Sequence, residues 1–280
     1  MPEVIDFHKV EGLGNDFLLV DWRRRDDWRA ALEQIQRRAP ALCDRRRGVG
    51  GDGLLLVTPT TTDGCDAAMI VVNHDGSIPE MCGNGLRCVA FYLHAAAAVG
   101  DTMVLETGAG PLPCAVMDAA PRHGQVRIEM GPARDLGERT PDAGDGRGFR
   151  AISTGNPHAI AFVGADEDPE ALARTHGPAI ERDPLFPHRT NVEFARVEAD
   201  GAITLWVWER GCGITEACGT GACATAAAAV GAGLARAGEP LRVQLPGGWL
   251  TIEVPEDPQA SVVMTGPARL VFRGSVALSD

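Results

Sequence analysis

The sequence predicts an α/β protein of the α+β kind, built as two pseudo-symmetric domains with the active site in the cleft between them. Three observations lead to this. Short runs rich in Val, Ile and Leu recur at 17–20, 54–57, 67–73, 103–106, 126–130, 203–208, 241–245 and 262–264, separated by glycine and proline turns, the pattern of a strand-dominated fold. Two long alanine-rich segments, 86–99 and 222–237, break that pattern with strongly helix-forming composition. Each is introduced by almost the same words, MCGNG at 81–85 and ACGTG at 217–221, so that Cys82 and Cys218 lie 136 positions apart, close to half the chain. A unit that recurs at half the chain length reads as a duplication.

The remaining elements follow from length and turn chemistry. Further helices are expected over 28–42 and 168–176. A chain of 280 residues exceeds the usual single domain, and the expected division is 1–120 and 121–265 with DAAPRHG at 118–124 as linker. The segment GERTPDAGDGRG at 137–148 reads as an exposed loop without chemistry.

Composition narrows the function classes. Hydrophobic residues at 45% and charged residues at 23% describe a chain that buries a core. The formal net charge of −12 opposes nucleic acid and anionic membranes as partners. The opening MPEVIDFHKV lacks a signal-peptide pattern and no run of about 18 apolar residues occurs, so a soluble, cytoplasmic protein is expected. In that compartment the eight cysteines are expected as thiols, not as a disulfide framework. With neither CxxC nor HExxH, no metal site is expected. Lys9 is the only lysine among 26 basic residues. A pyridoxal phosphate enzyme needs a lysine for its Schiff base, and Lys9 lies in a strand-like segment without a phosphate loop, so that cofactor is not expected.

The Cys-Gly-x-Gly frames carry the chemistry. The first N–H groups of a helix lack internal partners and, with the helix dipole, make a locally positive pocket. A cysteine there has its thiolate favoured, and flanking glycines let backbone N–H groups approach a carboxylate. One such motif supplies a base and an anion cradle. Two facing motifs supply a base on one side of a Cα–H bond and an acid on the other, which is stereoinversion. Cysteines 43, 65, 88, 114, 212 and 223 lack the frame and read as packing residues.

Other candidates surround these motifs. Asn73 emerges from a strand toward Cys82, or is simply a turn asparagine. Glu209 and Arg210 leave a strand before the loop carrying Cys218, where Arg210 either forks onto a substrate carboxylate or pairs with Glu209. GLGND (12–16), GNPH (155–158) and TNVEF (190–194) present Asn15, Asn156 and Asn191, neutral amides suited to a zwitterion. His158, following a glycine-asparagine-proline turn, is the candidate to tune a thiol, with a structural histidine as the alternative. GVGGDG (48–53) lacks the GK[ST] ending of a phosphate loop, so nucleotide binding is not expected.

Taken together, GLGND, GVGGDG, NxDGSxxxMCGNGxRC, GNPH, TNVEF, ERGxGxTxACGTGACA, LPGG and MTGPA, in this order from residue 7 to about 274, resemble the diaminopimelate epimerase family. The resemblance implies interconversion of LL- and meso-diaminopimelate without cofactor, in the route to lysine and peptidoglycan precursors. It implies two domains, each a curled, mostly antiparallel sheet or barrel around a central helix, with residues 266–280 returning to the first. It makes Cys82 and Cys218 the acid–base pair, with Cys82 the base toward the LL substrate. Gly83, Asn84, Gly219 and Thr220 would hold the reacting carboxylate. Asn15, Asn73, Asn156, Asn191, Glu209 and Arg210 would recognise the distal centre, and His158 and Glu209 would adjust thiol pKa values. Phe272 stands where a homodimer contact is expected.

Three positions depart from the family's commonest pattern. Gly53 replaces a glutamine, Glu11 a histidine, and Ile214 a glutamate beside the second cysteine loop. Two rival activities stay open on sequence: another cofactor-independent racemase, of the proline racemase kind, and a thiol hydrolase using Cys82 with His158. A non-catalytic binding module explains neither cysteine.

Overall fold

The structure is a computed structural model describing residues 3–97 and 99–278. The chain forms two compact units. Unit 1 takes the chain through Ile128 and again from Gly266, and unit 2 is Glu129–Thr265. Unit 1 runs β1 (Glu3–Gly12), β2 (Asn15–Asp21), α1 (Trp28–Cys43), β3 (Gly53–Thr58), β4 (Ala67–Asn73), α2 (Gly83–Ala95), β5 (Thr102–Thr107), β6 (Gly110–Ala120) and β7 (His123–Glu129). Unit 2 runs β8 (Arg134–Arg139), β9 (Phe149–Ser153), β10 (Pro157–Phe162), α3 (Pro169–Ile180), β11 (Asn191–Val197), β12 (Ile203–Glu209), β13 (Gly213–Ile214), α4 (Gly219–Gly231), β14 (Pro240–Leu245) and β15 (Gly248–Glu253). The last strand, β16 (Val263–Leu278), pairs with β15 over 263–265 and with β1 over 269–278.

Unit 1 is a closed eight-stranded barrel in the order β1 to β7, then β16, which pairs back to β1. Helix α2 packs against β1, β2, β3, β4 and β6. Every residue from Gly83 to Leu93 is buried, as in a helix that occupies a core, and its polar Asn84 and Arg87 are paired there. Helix α1 covers the other face of β3 and β4, where Ile35, Ala39 and Leu42 meet Leu54, Leu56 and Val72. With a helix on each side, β3 is buried at every position, which is why GLLLVT reads as a continuous apolar run rather than an alternation.

Unit 2 repeats this plan strand for strand. Antiparallel β1–β2 corresponds to β9–β10, and parallel β2–β3, crossing over through α1, to β10–β11 through α3. The antiparallel β3–β4 pair corresponds to β11–β12, and parallel β4–β5, crossing through α2, to β12–β14 through α4. Helix α4 packs against β9, β10, β11, β14 and β15, and α3 lies on β11 and β12. The alanines of α4 are small enough for strands to approach closely, and Gly219–Ala226 are all buried. The duplicated α/β architecture expected from the two motifs is therefore present. Among the described residues no helix is long and apolar enough to cross a membrane.

Several expectations change. The units divide at 128/129, not 120/121. Residues 118–124 are no linker: they form the β6–β7 hairpin inside unit 1, with Ala120 opposite His123, and their polar composition belongs to an exposed turn. Segment 137–148 is not simply an exposed loop, because Gly137–Arg139 complete β8. Pro141 and Gly144 are also buried, and Ala143 accepts a hydrogen bond from His176 Nδ1 at 2.9 Å. The helix expected to reach 237 stops at Gly231, where Gly233 at φ +71° supplies the left-handed turn that alanine disfavours. The helix expected over 86–99 ends at Ala95, and residue 98 lies outside the described residues, as do the outermost positions of the expected first domain, 1–2 and 279–280.

Because α2 is the barrel's core, Phe91→Ala is expected to cost about 3–5 kcal/mol in urea denaturation of the full chain. A loss under about 1 kcal/mol would show that the ring is not packed as described.

Candidate active site

Strand registers let the halves be compared residue by residue. In unit 1, Phe17 lies opposite Gly53 and Gly53 opposite Asn73. In unit 2, His158 lies opposite Asn191, which falls opposite Glu209, one step beyond the Val192–Trp208 pair. Thus Asn15, Phe17, Leu55 and Asn73 correspond to Asn156, His158, Glu193 and Glu209. Likewise Cys82, Asn84 and Gly85 correspond to Cys218, Thr220 and Gly221.

Both cysteines are helix N-caps with extended backbone. Gly85 N–H donates to Cys82 Sγ at 3.4 Å, whereas the Cys218 side chain makes no such cap bond, although the nearby Gly221 N–H favours its thiolate. The second glycine of each motif is a packing necessity. A Cβ on Gly85 would stand 2.7 Å from Leu55 Cδ2, and one on Gly221 would stand 3.0 Å from Glu193 Oε1 and 3.2 Å from Cys218 Sγ.

Around Cys82 the amides are aligned by charge. Arg87, wholly buried, donates to Asn84 Oδ1 at 2.8 Å. Asn84 Nδ2 then donates to Asn15 Oδ1 at 3.3 Å, and Asn15 Nδ2 to Asp52 at 2.7 Å. A guanidinium only donates and a carboxylate only accepts, so both amides have one possible orientation. The carbonyl of Asn15 is consequently the atom that faces Cys82 Sγ, at 4.0 Å. Arg45 and the Asp16 amide fix Asp52, while Lys9 pairs with Asp16 at 2.5 Å and donates to the Gly50 carbonyl. Asn73 sits apart from this ladder, closing the 73–77 turn through Ser77 Oγ at 3.0 Å.

In unit 2, Asn156 Nδ2 donates to Thr220 Oγ1 at 3.2 Å, and Thr220 Oγ1 lies 3.5 Å from Cys218 Sγ. Behind Asn156, His158 Nε2 reaches Asn156 Oδ1 at 2.9 Å, and its Nδ1 meets Glu193 Oε1 at 2.6 Å. The Glu209 carboxylate accepts from Thr215 Oγ1 and lies beside Cys218. Burial lifts its pKa, and the Thr215 and Cys218 contacts partly offset that. Burial likewise pushes the Cys218 thiol well above its usual range, reinforced by the carboxylates of Glu209 and Glu193 and opposed by Thr220 and Gly221 N–H.

A second group forms beside this one. Asn191 Nδ2 donates to the Pro157 carbonyl at 2.9 Å and Asn191 Oδ1 accepts from Arg210 N–H at 2.9 Å, so its amide holds the loop that carries Arg210. Arg210 Nη1 donates to the His188 carbonyl at 3.3 Å. Buried Glu181 ties down the same loop through Trp208 Nε1 at 2.9 Å and Gly211 N–H at 3.1 Å.

The three departures have local explanations. A Cβ at Gly53 would approach the Val72 carbonyl to 2.5 Å, so glycine lets β3 and β4 close there. Glu11 accepts from Gly14 N–H at 3.2 Å and pairs with Arg269. Ile214 packs on the cluster of Phe149, Ala173, Ile180 and Phe194 beneath α3. Phe272 is 50% exposed on β16, edge-on to Phe7 at 6.0 Å. Of the cysteines read as packing residues, Cys43, Cys88, Cys114 and Cys223 are buried, whereas Cys212 is exposed.

Sequence reasoning missed Glu193, Asp52, Arg87 and Glu181. One signal was available for Glu193. A charge between Val192 and Phe194, in a strand buried at its first five positions, requires a buried partner.

The two halves, each with a cysteine-capped central helix, define a fold class that solved racemases and epimerases share. A probable proline racemase from Agrobacterium radiobacter K84 superposes with a TM-score of 0.75 at 19% identity, covering 98% of this chain and 93% of that one. A hydroxyproline epimerase from Agrobacterium vitis gives 0.76 at 17% identity, covering 100% and 95%. Within that class the chain belongs to the diaminopimelate epimerase family, whose profile matches residues 7–136 and 150–271. The relative named diaminopimelate epimerase from Desulfitobacterium hafniense is 44% identical over 97% of this chain and 98% of its own length. That from Desulforudis audaxviator is 45% identical over 96% and 98%.

The shifted thiols predict a pH dependence. Burial raises Cys43 to about 11 and Cys114 to about 12, and Cys218 also lies high. Folded thiols that hold protons more tightly than unfolded ones contribute stability that is complete below the unfolded value of about 8.5. That contribution is lost as pH rises through the folded values. Unfolding free energy measured in denaturant is therefore expected to fall between about pH 8.5 and pH 11, and a flat or rising profile would contradict the burial of these thiols.

Proposed function

We propose that this protein interconverts LL- and meso-diaminopimelate, with Cys82 and Cys218 as the acid–base pair and no cofactor. The observation that carries this reading is the paired motif: in a chain of this family, each half ends a strand, turns, and starts a buried helix with a cysteine as its N-cap residue.

The chemistry balances on two protons. The Cys82 thiolate removes the α-proton of the LL centre and becomes a thiol. The Cys218 thiol protonates the opposite face and becomes a thiolate, and the roles exchange in the reverse direction. Negative charge developing on the α-carbon spreads into the carboxylate, where helix-start N–H groups at Gly83, Asn84, Gly219 and Thr220 stabilise it. Glu209, beside Cys218, accepts or returns the thiol proton as the cycle resets, and His158 acts on the same sulfur through Asn156 and Thr220.

The distal end of the substrate is a second amino-acid centre. Asn15, Asn73, Asn156, Asn191, Glu209 and Arg210 are assigned to it, with Arg210 the carboxylate ligand and Asn191 holding its loop. The protein works in the cytoplasm on a small amino acid in lysine and peptidoglycan precursor synthesis. It does not bind nucleic acid, which its net charge of −12 disfavours. It acts as a homodimer, with the exposed Phe272 at the contact.

The test is the α-hydrogen. In deuterated buffer, NMR should show deuterium entering diaminopimelate as LL and meso isomers interconvert, with proline and hydroxyproline unchanged. Cys82→Ala and Cys218→Ala should each lower kcat by about 10²–10⁴-fold, the range of a lost acid–base group. Exchange into proline would favour the proline racemase reading, and an acyl-enzyme burst without exchange would favour a thiol hydrolase.

A further inference from the structure

The halves differ most where they should be interchangeable. Beneath the start of the central helix unit 1 places Phe17 and Leu55; at the corresponding positions unit 2 places His158 and Glu193. Leu55 fills its site completely, so packing alone does not call for a carboxylate there. Yet the side chains of Glu193 and His158 are both wholly buried and joined at 2.6 Å.

The hydrogen bonds around this pair have a direction. Glu193 Oε2 accepts from Ala159 N–H at 3.2 Å, so any proton Glu193 carries sits on Oε1, between it and His158 Nδ1. Whether that shared proton rests on the carboxyl or the ring, Nε2 keeps its own hydrogen and donates to Asn156 Oδ1, which also receives Thr154 Oγ1 at 3.2 Å. The amide is thereby turned so that Nδ2 donates to Thr220 Oγ1. With that oxygen already accepting, its hydrogen is directed to Cys218 Sγ. The opposite arrangement, ionised Glu193 beside a neutral imidazole, would leave a buried carboxylate hydrogen-bonded but without a counter-charge near Glu209 and Cys218, and burial disfavours ionised Glu193.

We propose that Glu193 is a positioning residue that, through His158, Asn156 and Thr220, aims a hydroxyl hydrogen at the Cys218 sulfur. Its purpose rests on the reading of Cys218 as an acid–base thiol, but the hydrogen-bond chain does not. Among the described residues, the titratable groups that act on Cys218 are Glu193 on β11 and Glu209 on β12, with His158 on β10 behind Asn156. The other strands packed on α4 supply apolar side chains to the core: Ile152 on β9, Val243 and Leu245 on β14, and Leu250 and Ile252 on β15.

Two variants separate this role from its rivals. In Glu193→Gln the amide oxygen keeps Ala159 N–H and the NH₂ group donates to Nδ1, so the chain survives without the charge. Glu193→Leu copies unit 1 and removes the donor. Nδ1 loses its partner, Asn156 is free to reverse, and the Thr220 hydroxyl turns to the amide oxygen. Iodoacetamide alkylation of Cys218, followed against pH by peptide mass spectrometry in a Cys82→Ser background, reads the consequence without substrate. Glu193→Gln should leave the midpoint in place. Glu193→Leu should raise it by about one unit, a tenfold loss of thiolate at fixed pH.

Equal shifts in both variants would mean that only the carboxylate's charge matters. No shift in either would mean a structural role, and a downward shift in Glu193→Leu would mean simple loss of repulsion; each overturns the proposal. If Glu193→Leu does not fold, the ¹⁵N resonances of His158 in the full-length native protein decide. Nε2 must be protonated, in the native protein and in Glu193→Gln alike, and an unprotonated Nε2 overturns the proposal. Loss of the proposed epimerase activity would instead appear as absent deuterium exchange, with these readouts untouched.

Discussion

A buried central helix that starts on a cysteine N-cap is the constraint on which the rest of each half depends. A central helix enclosed by sheet cannot send its first N–H groups to water, so something at the cap must accept them. A serine or aspartate would do so as well or better. Cysteine gives up capping strength and gains a reactive atom at the positive end of the dipole. The flanking requirements follow: glycine at 85 and 221, because Leu55 and Glu193 leave no room for a Cβ, and a strand end that delivers the loop to the helix axis.

The duplicated frame is symmetric in backbone and polarised in opposite senses around its two sulfurs. In unit 1 a buried guanidinium starts the chain, so that an amide carbonyl faces Cys82. In unit 2 the Glu193–His158 pair starts it, and a hydroxyl meets Cys218. One sulfur is offered an acceptor and the other a donor. Burial and the Glu209 carboxylate hold the second thiol protonated, and the Thr220 and Gly221 donors stabilise the thiolate once the proton leaves. In the proposed inversion these contacts suit the states reached after proton transfer, an acceptor facing the Cys82 thiol and a donor facing the Cys218 thiolate.

Much of this was legible in the chain. The two alanine-rich segments could only be buried helices, and the words that introduce them marked the duplication, the caps and the two thiols. The strand buried on both faces, 54–57, announced itself as an apolar run, as did 67–73, which alternates buried and half-buried positions. Less legible were β8 and β9, whose residues RDLGER and FRAIS carry little β-character and owe their pairing to the neighbours they meet. The linker was misplaced because Pro121 and Gly124 signal a turn without saying whether it joins two domains or two strands of one. Within the site, residue identity showed which amides were present but not their direction. Arg87, Asp52 and Glu193 set that direction; Asp52 and Glu193 are distant in sequence from the atoms they orient, and Arg87 reaches Asn84 one helical turn away.

Amide hydrogen exchange at Gly85 tests the central claim most directly. Its N–H should exchange slowly in the native protein, and Cys82→Ala should accelerate it while the rest of the helix stays protected. Rapid exchange at Gly85 in the native protein, or a rate indifferent to removal of the sulfur, would contradict the account.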